Sequence, residues 1–218
     1  PITYDLQILM TNQDRLQKLN FQNLIIVSSL INEIEYFIFY GTLLGIVREK
    51  NIIKNDDDID FMVNHKSKKL LFKKMKLNKT FKINKKVTND YFAQFIKKKD
   101  GLISFVDFYF YIKDPKKKYI VDKHNWLGNI GDKRFALHFP KNMIFPIIKG
   151  KNFNMPKKPK VTCKYIYGDT WSKPLKKNTN YRPEVVNNKP LLIRRSYIGS
   201  LTRQFKELFN INNYKKIV

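Results

Sequence analysis

The run Ser104-Phe-Val-Asp-Phe-Tyr-Phe-Tyr111, within the stretch Ile103–Ile112, constrains the fold more than any other segment. Alternate residues of a strand face opposite sides. One side reads Phe105, Asp107, Tyr109, Tyr111 and the other Val106, Phe108, Phe110, Ile112. Both sides are apolar, so the strand needs cover on both faces and belongs in the middle of a sheet. A single acid, Asp107, interrupts it. A carboxylate there is costly unless it is paired, metal-bound, or hydrogen-bonded to backbone at a strand end.

The surrounding elements are mixed. Residues 13–36 carry Leu16, Leu19, Leu24, Val27, Leu30, Ile31 and Ile34 at helical spacing, as one long or two short helices. Tyr36–Tyr40 reads as a strand, and Thr42 as the cap of a short helix TLLGIVRE. Lys50–Asp57 is a loop and Asp58–Val63 a strand. Ser67–Leu77 is a basic amphipathic helix with Leu70, Leu71, Met75 and Leu77 inward. Phe81–Lys85 and Tyr91–Lys97 form a strand pair. Residues 114–160 are broken by glycine and proline and read as irregular. A helix over 160–167 ends at Gly168, residues 172–190 are extended, and Leu191–Asn210 holds a terminal helix. This irregular mixture predicts an α+β (mixed α/β) fold, a small mixed sheet flanked by helices.

Chemistry concentrates between Gly41 and Asp60. The segment Asp56-Asp-Asp-Ile-Asp-Phe-Met-Val63 runs from a loop into a hydrophobic strand. Strand parity puts Asp58 and Asp60 on one face, with Asp56 at the strand mouth on the same parity. Adjacent carboxylates repel unless a cation sits between them. A hard ion such as Mg²⁺ or Mn²⁺ suits such oxygen ligands, and Asp107 supplies a third carboxylate. The competing reading is an exposed acidic turn. The spacing is not that of an EF-hand calcium loop. Upstream, Gly41-Thr42 opens a helix whose backbone N–H groups suit a phosphate, and Arg48 follows as a candidate phosphate clamp.

Other residues carry less. Cys163 is the lone cysteine, which excludes an internal disulfide framework, and nothing marks it as a nucleophile. His65, His124 and His138 read as surface or pocket-wall residues, and Trp126 and Trp171 as core or rim. Tyr109 and Tyr111 share the face of Asp107, as site lining or core.

Against 18 acids the chain carries 43 Lys and Arg, a net charge of +25. That predicts salt-sensitive, nonspecific attraction to polyanions. The lysines are spread widely and outnumber arginine, which weakens the case for base readout. No apolar run reaches the roughly 20 residues that span a bilayer. No signal peptide is legible either, so the chain reads as soluble as given. Its compartment stays open between cytoplasmic-type chemistry and a secretory lumen reached through an anchor upstream.

Gly41-Thr-Leu-Leu-Gly-Ile-Val-Arg48 followed by Asp56-Asp-Asp-Ile-Asp60 resembles the LicD/fukutin family, of nucleotidyltransferase fold. Phe105-Val-Asp-Phe108 looks like the family's third acid. Phe145-Pro146, Phe153, Pro156 and Tyr167-Gly-Asp-Thr-Trp171 resemble its downstream segment. The likeness covers about residues 14–172, implying a catalytic domain over 1–172 and a basic extension over 173–218. The family's Pro-Trp before the acids is replaced here by Lys54-Asn55.

The resemblance implies a metal-dependent phosphotransferase. It would move a phosphocholine- or ribitol-phosphate-like group from a CDP-linked donor to a glycan hydroxyl. Asp58, Asp60 and Asp107 would be catalytic and hold Mg²⁺ or Mn²⁺. Gly41, Thr42 and Arg48 would steady phosphates, and Asp56 would be an outer ligand or support the ligands from behind. Two other readings stay open: a nucleotidyltransferase moving NMP from an NTP to a small-molecule or RNA hydroxyl, and a non-enzymatic polyanion-binding module.

Overall fold

The computed structural model describes residues 11–130 and 133–174, with short strands at 185–186 and 189–190. One helix, α1 (Asn12–Leu30), covers the first amphipathic stretch, opened by a capping box between Thr11 and Asp14. Then follow β1 (Tyr36–Ile38), α2 (Tyr40–Glu49), β2 (Asp58–Asn64), a 3₁₀ turn and α3 (Lys68–Leu77). Next come β3 (Lys82–Ile83), β4 (Phe92–Lys99), β5 (Leu102–Lys113), β6 (Tyr119–Ile130) and β7 (Lys133–Pro140). The described part continues through α4 (Lys141–Ile144), β8 (Ile148–Lys149), β9 (Asn154–Met155) and α5 (Pro159–Tyr167). Two short paired strands, β10 (Val185–Val186) and β11 (Lys189–Pro190), complete it.

The main sheet runs β1-β2-β5-β4-β3, with β6 joined to the end of β5 and β7 to β6. The strand expected at the centre is β5. It pairs parallel with β2 from Phe105 to Tyr111 and antiparallel with β4 along Phe92–Lys99. On the β4 side, where the pairing with β4 stops at Tyr109, β6 takes over, pairing with β5 at Tyr111–Lys113. The core gathers Phe37, Phe39, Phe61, Phe108, Phe110 and Tyr111, all fully buried, with Phe61 stacked on Phe108 at 5.3 Å. Aromatic bulk on both faces of β5 is therefore used as its sequence requires, and the fold is α+β.

Three expectations need correction. Thr42 does not cap α2. The helix starts two residues earlier, at Tyr40 (φ 40°), and the Thr42 hydroxyl accepts a hydrogen bond from the Asp60 N–H at 2.7 Å. A contact made only on folding replaces the local cap. Leu70 and Leu77 face outward, at 39% and 72% exposure, because Phe72 takes the inward position beside Leu71 and Met75. Residues 114–160 are not irregular: they contain the long β6–β7 hairpin, α4, β8 and β9. The stability of that hairpin comes from cross-strand pairing, while local composition is turn-like. Within 172–190, read as extended, the parts described beyond residue 174 are the strands β10 and β11. The helix expected within Leu191–Asn210 lies outside the described residues.

The helix at 160–167 is present as α5, ending at Gly168. Among the described residues, no helix is long and apolar enough to cross a membrane.

Candidate active site

The acids meet because β2 and β5 lie side by side in parallel. Register places Asp60 opposite Asp107, and Asp58 opposite Phe105. Neighbouring strands are about 4.8 Å apart, so facing side chains on one side touch. Carboxylate oxygens of Asp58, Asp60 and Asp107 all lie within 4.8 Å of one another, and Asp56, Asp57 and Asp58 form an overlapping group. Asp57, of opposite parity, is exposed. Its carbonyl accepts from the Phe105 N–H at 2.8 Å, which closes the mouth of the β2–β5 pair.

Each acid is held by a neighbour. The Asp60 carboxylate accepts from the Thr42 N–H at 3.3 Å, in the first turn of α2, where the helix dipole favours negative charge. Asp107 Oδ1 accepts from Gln94 Nε2 at 3.0 Å, and Gln94 Oε1 in turn accepts from Asn84 at 2.7 Å. Gln94 stands directly across from Asp107 in the β4–β5 register. Asp56 follows Asn55, whose left-handed φ of 74° turns the loop inward. Its carbonyl accepts from Asn20 of α1 at 2.9 Å, and Gln17 holds the Ile52 carbonyl nearby.

Two glycines permit this approach. A Cβ on Gly41 would lie 2.9 Å from Asp56 Oδ2 and 3.3 Å from Asp60 Oδ2. One on Gly45 would lie 2.6 Å from the Asn51 carbonyl and 2.9 Å from the Ile53 nitrogen. Gly41 thus leaves room for the carboxylates, and Gly45 lets the acidic loop lie against α2.

Asp60 and Asp107 are only 4% and 6% exposed. Among the described residues, no lysine or arginine forms an ion pair with any of these acids. Burial first, then the Asp58 charge, pushes Asp107 up to about 7, although Gln94 opposes the shift. Burial, Asp58 and Asp56 raise Asp60 well above the carboxylate range. Asp56 is raised by burial and then by Asp58, to about 8, and the two share a hydrogen bond that requires a proton. Burial raises Asp58 as well. Three clustered oxygen donors whose charge no ion pair among the described residues compensates fit a hard divalent cation.

An aromatic wall adjoins the acids. Tyr109 packs edge-on against Tyr40 at 4.9 Å and lies tilted on Phe92 at 5.1 Å, and His124 stacks on Phe92 at 4.2 Å. Burial, followed by Asp60, Asp107 and Asp58, keeps the Tyr109 hydroxyl protonated. His124 is held neutral by burial, its pKa pushed down to about 4. Tyr40 donates to Asp122, which locks the entry to α2. Tyr111 belongs to the core, donating to Glu35. Cys163 is buried and its thiol pushed up to about 12, so it is inert. The side chain of Trp126 lies outside the described residues.

The structure brings Gly41, Thr42, Asp56, Asp58, Asp60 and Asp107 together. Arg48 it does not. Arg48 sits in the last turn of α2, about 10 Å along the axis from Gly41, and pairs with Glu49. Gln94, Asn20 and Gly45 were not singled out from the sequence. Gln94 was accessible in principle, because alternation along Tyr91–Lys97 puts it on one face with Phe92, but only the register sets it against Asp107.

The pH response follows from these shifts. Asp56 and Asp107 bind protons more tightly folded than unfolded, so the stability their protonation adds is full near pH 4 and is lost as pH rises to about 8. His124 acts oppositely, costing stability as pH falls from about 6.5 towards 4. The clean window is therefore pH 6.5–8. There the metal-free protein is expected to lose about 2 kcal/mol, read as a falling melting temperature in chelator that Mn²⁺ flattens. A melting temperature rising across this window without metal would contradict the arrangement.

Fold and site together define an α+β protein with a largely buried carboxylate centre, without an ion pair among the described residues and suited to a divalent cation. Residues 33–157, more than half of the chain, match the family model described as LicD/FKTN/FKRP, nucleotidyltransferase domain. The chain belongs to this family. Its members are transferases of phosphate-containing groups that act on glycans, generally with a metal ion. The match takes in every acid of the centre and the α2 glycines. The chain matches no curated protein.

Proposed function

We propose that this chain transfers a phosphorylated alcohol, of the phosphocholine or ribitol phosphate kind, from a CDP-linked donor to a glycan hydroxyl. Residues 1–172 would form the catalytic domain. The observation that carries this reading is the meeting of half-buried Asp58 with buried Asp60 and Asp107 within 4.8 Å, without a cationic partner among the described residues, in a chain of this family. Asp58, Asp60 and Asp107 would hold Mg²⁺ or Mn²⁺, with Asp56 as an outer ligand. The ion, when bound, would offset the charge of the donor diphosphate.

The remaining work falls to the chain. Thr42 spends its N–H and hydroxyl on Asp60, so its part is to aim that carboxylate rather than to grip phosphate. Gly41 keeps the space above the acids free. Gln94 fixes one oxygen of Asp107, and the other is left to face the reacting groups. The acceptor oxygen attacks the distal phosphorus of the donor, its proton passes to Asp107, the bridging P–O bond breaks and CMP leaves.

Product analysis tests the reading. With Mn²⁺, a CDP-alcohol and a glycan acceptor, CMP should accumulate in step with modified glycan. Pyrophosphate release from CTP or another NTP would instead establish nucleotidyl transfer. Absence of both products, together with no metal-dependent rise in melting temperature with any cytidine nucleotide, would overturn an enzymatic role.

A further inference from the structure

Residues 66–89 contain ten lysines, no arginine and no acid. Most lie on α3 and the segment leading into β3. Lys68 is held by Asp90 and Lys74 by Glu33. Among the described residues, Lys69, Lys73, Lys76, Lys79 and Lys82 form no ion pair. The same helix exposes apolar side chains: Leu77 is 72% and Leu70 39% exposed. Seven residues apart, they share one face two turns apart. Val87, 43% exposed, stands in the following loop, which Lys68 ties back to α3 through the Asn89 carbonyl. Beside the helix opens a cavity of about 300 Å³, floored by Phe72, Phe81 and Phe95 and rimmed by Lys76, Lys79 and Lys82.

A lone exposed leucine needs no explanation. Here two share a helix face and are ringed by unpaired lysines, next to an aromatic-floored hollow. That combination suits an interface apolar within and negative at its rim, which is an anionic lipid bilayer. Nucleic acid fits less well, because nothing in it receives the leucines and no arginine is present for bidentate phosphate contacts. A second copy of so basic a surface would be repelled. We infer that α3 and the 78–87 segment form a peripheral docking surface for anionic membrane, with Leu70 and Leu77 entering the headgroup–acyl boundary and the lysines paired with lipid phosphates. The surface is independent of the carboxylate centre. Phe72 packs on Phe95 and Phe110, on the face of β5 opposite Asp107 and Tyr109. A bilayer seated on α3 therefore leaves the acids uncovered.

Co-sedimentation of the full chain with vesicles tests this. Phosphatidylglycerol–phosphatidylcholine vesicles should bind at least about tenfold more tightly than pure phosphatidylcholine at physiological salt. The double variant Leu70→Ser/Leu77→Ser, at exposed positions and with an unchanged melting temperature, should bind the anionic vesicles at least about fivefold more weakly. Lys69→Glu/Lys73→Glu/Lys76→Glu should reduce binding to the level of neutral vesicles. Binding that ignores lipid charge, wild-type binding by the leucine variant, or preference for single-stranded RNA over anionic vesicles would each overturn the assignment.

Discussion

Asp58→Asn and Asp60→Asn are each expected to reduce turnover at least about 10³-fold while leaving the metal-free protein more stable than the parent. The loss of activity follows from removing an oxygen ligand and its charge where several kcal/mol of charge stabilisation are needed, each 1.36 kcal/mol being tenfold in rate. The gain in stability follows from the same geometry. Without metal, burial raises both carboxyls, and the charges of Asp58 and Asp56 raise Asp60 further, so folding near neutral pH must either keep charge in a poorly solvated place or take up a proton there. Asparagine removes a charge and, at position 60, keeps an oxygen to accept the Thr42 N–H. A gain of about 2 kcal/mol corresponds to roughly 4–8 °C for a chain of this size. Melting curves in chelator at pH 7.5, alongside turnover, check both halves. If Asp60→Asn lost stability and activity together, Asp60 would be a structural residue and the centre would lie elsewhere.

The α2 glycines supply the second large effect, because the two should fail differently. Gly45→Ala drives a methyl to within 2.6 Å of a backbone carbonyl and 2.9 Å of a backbone nitrogen, neither of which can rotate away. The loop carrying Asp56 must shift, and with it the bonds from Gln17 and Asn20. Overpacking of this kind costs about 2–3 kcal/mol, or roughly 5–10 °C. Gly41→Ala meets only carboxylate oxygens, at 2.9 and 3.3 Å. Those side chains can turn aside, so the fold should survive within about 1 kcal/mol. Mn²⁺ affinity should nonetheless fall about tenfold or more, because the ligands no longer converge. Thermal melts with and without Mn²⁺ separate the outcomes. Wild-type Mn²⁺ affinity in Gly41→Ala would mean that the carboxylate arrangement is not the one that binds metal.

The centre is assembled from short-range and long-range terms, and they divide the account of the protein. Parity within Asp58–Val63 put Asp58 and Asp60 on one side, since a strand's period of two is a property of the backbone alone. The two apolar faces of Ile103–Ile112 likewise marked a central strand and made Asp107 conspicuous. The helices now seen at 12–30 and 68–77 followed from apolar spacing, and the one at 159–167 from its Gly168 end. What local reasoning missed depends on partners distant in the chain. The β6–β7 hairpin is held by cross-strand pairing through a segment whose glycines read as breaks. Thr42 forgoes capping for Asp60, eighteen residues on. Phe72 displaces Leu70 and Leu77 from the core because Phe95 and Phe110 offer it an aromatic site. The residue types of a cation site and their facing along each strand were thus legible in the sequence. Their convergence was decided by the parallel register of β2 on β5, together with the Gln94 and Asn20 contacts, because a register is a contact between segments some fifty residues apart and no local preference encodes it.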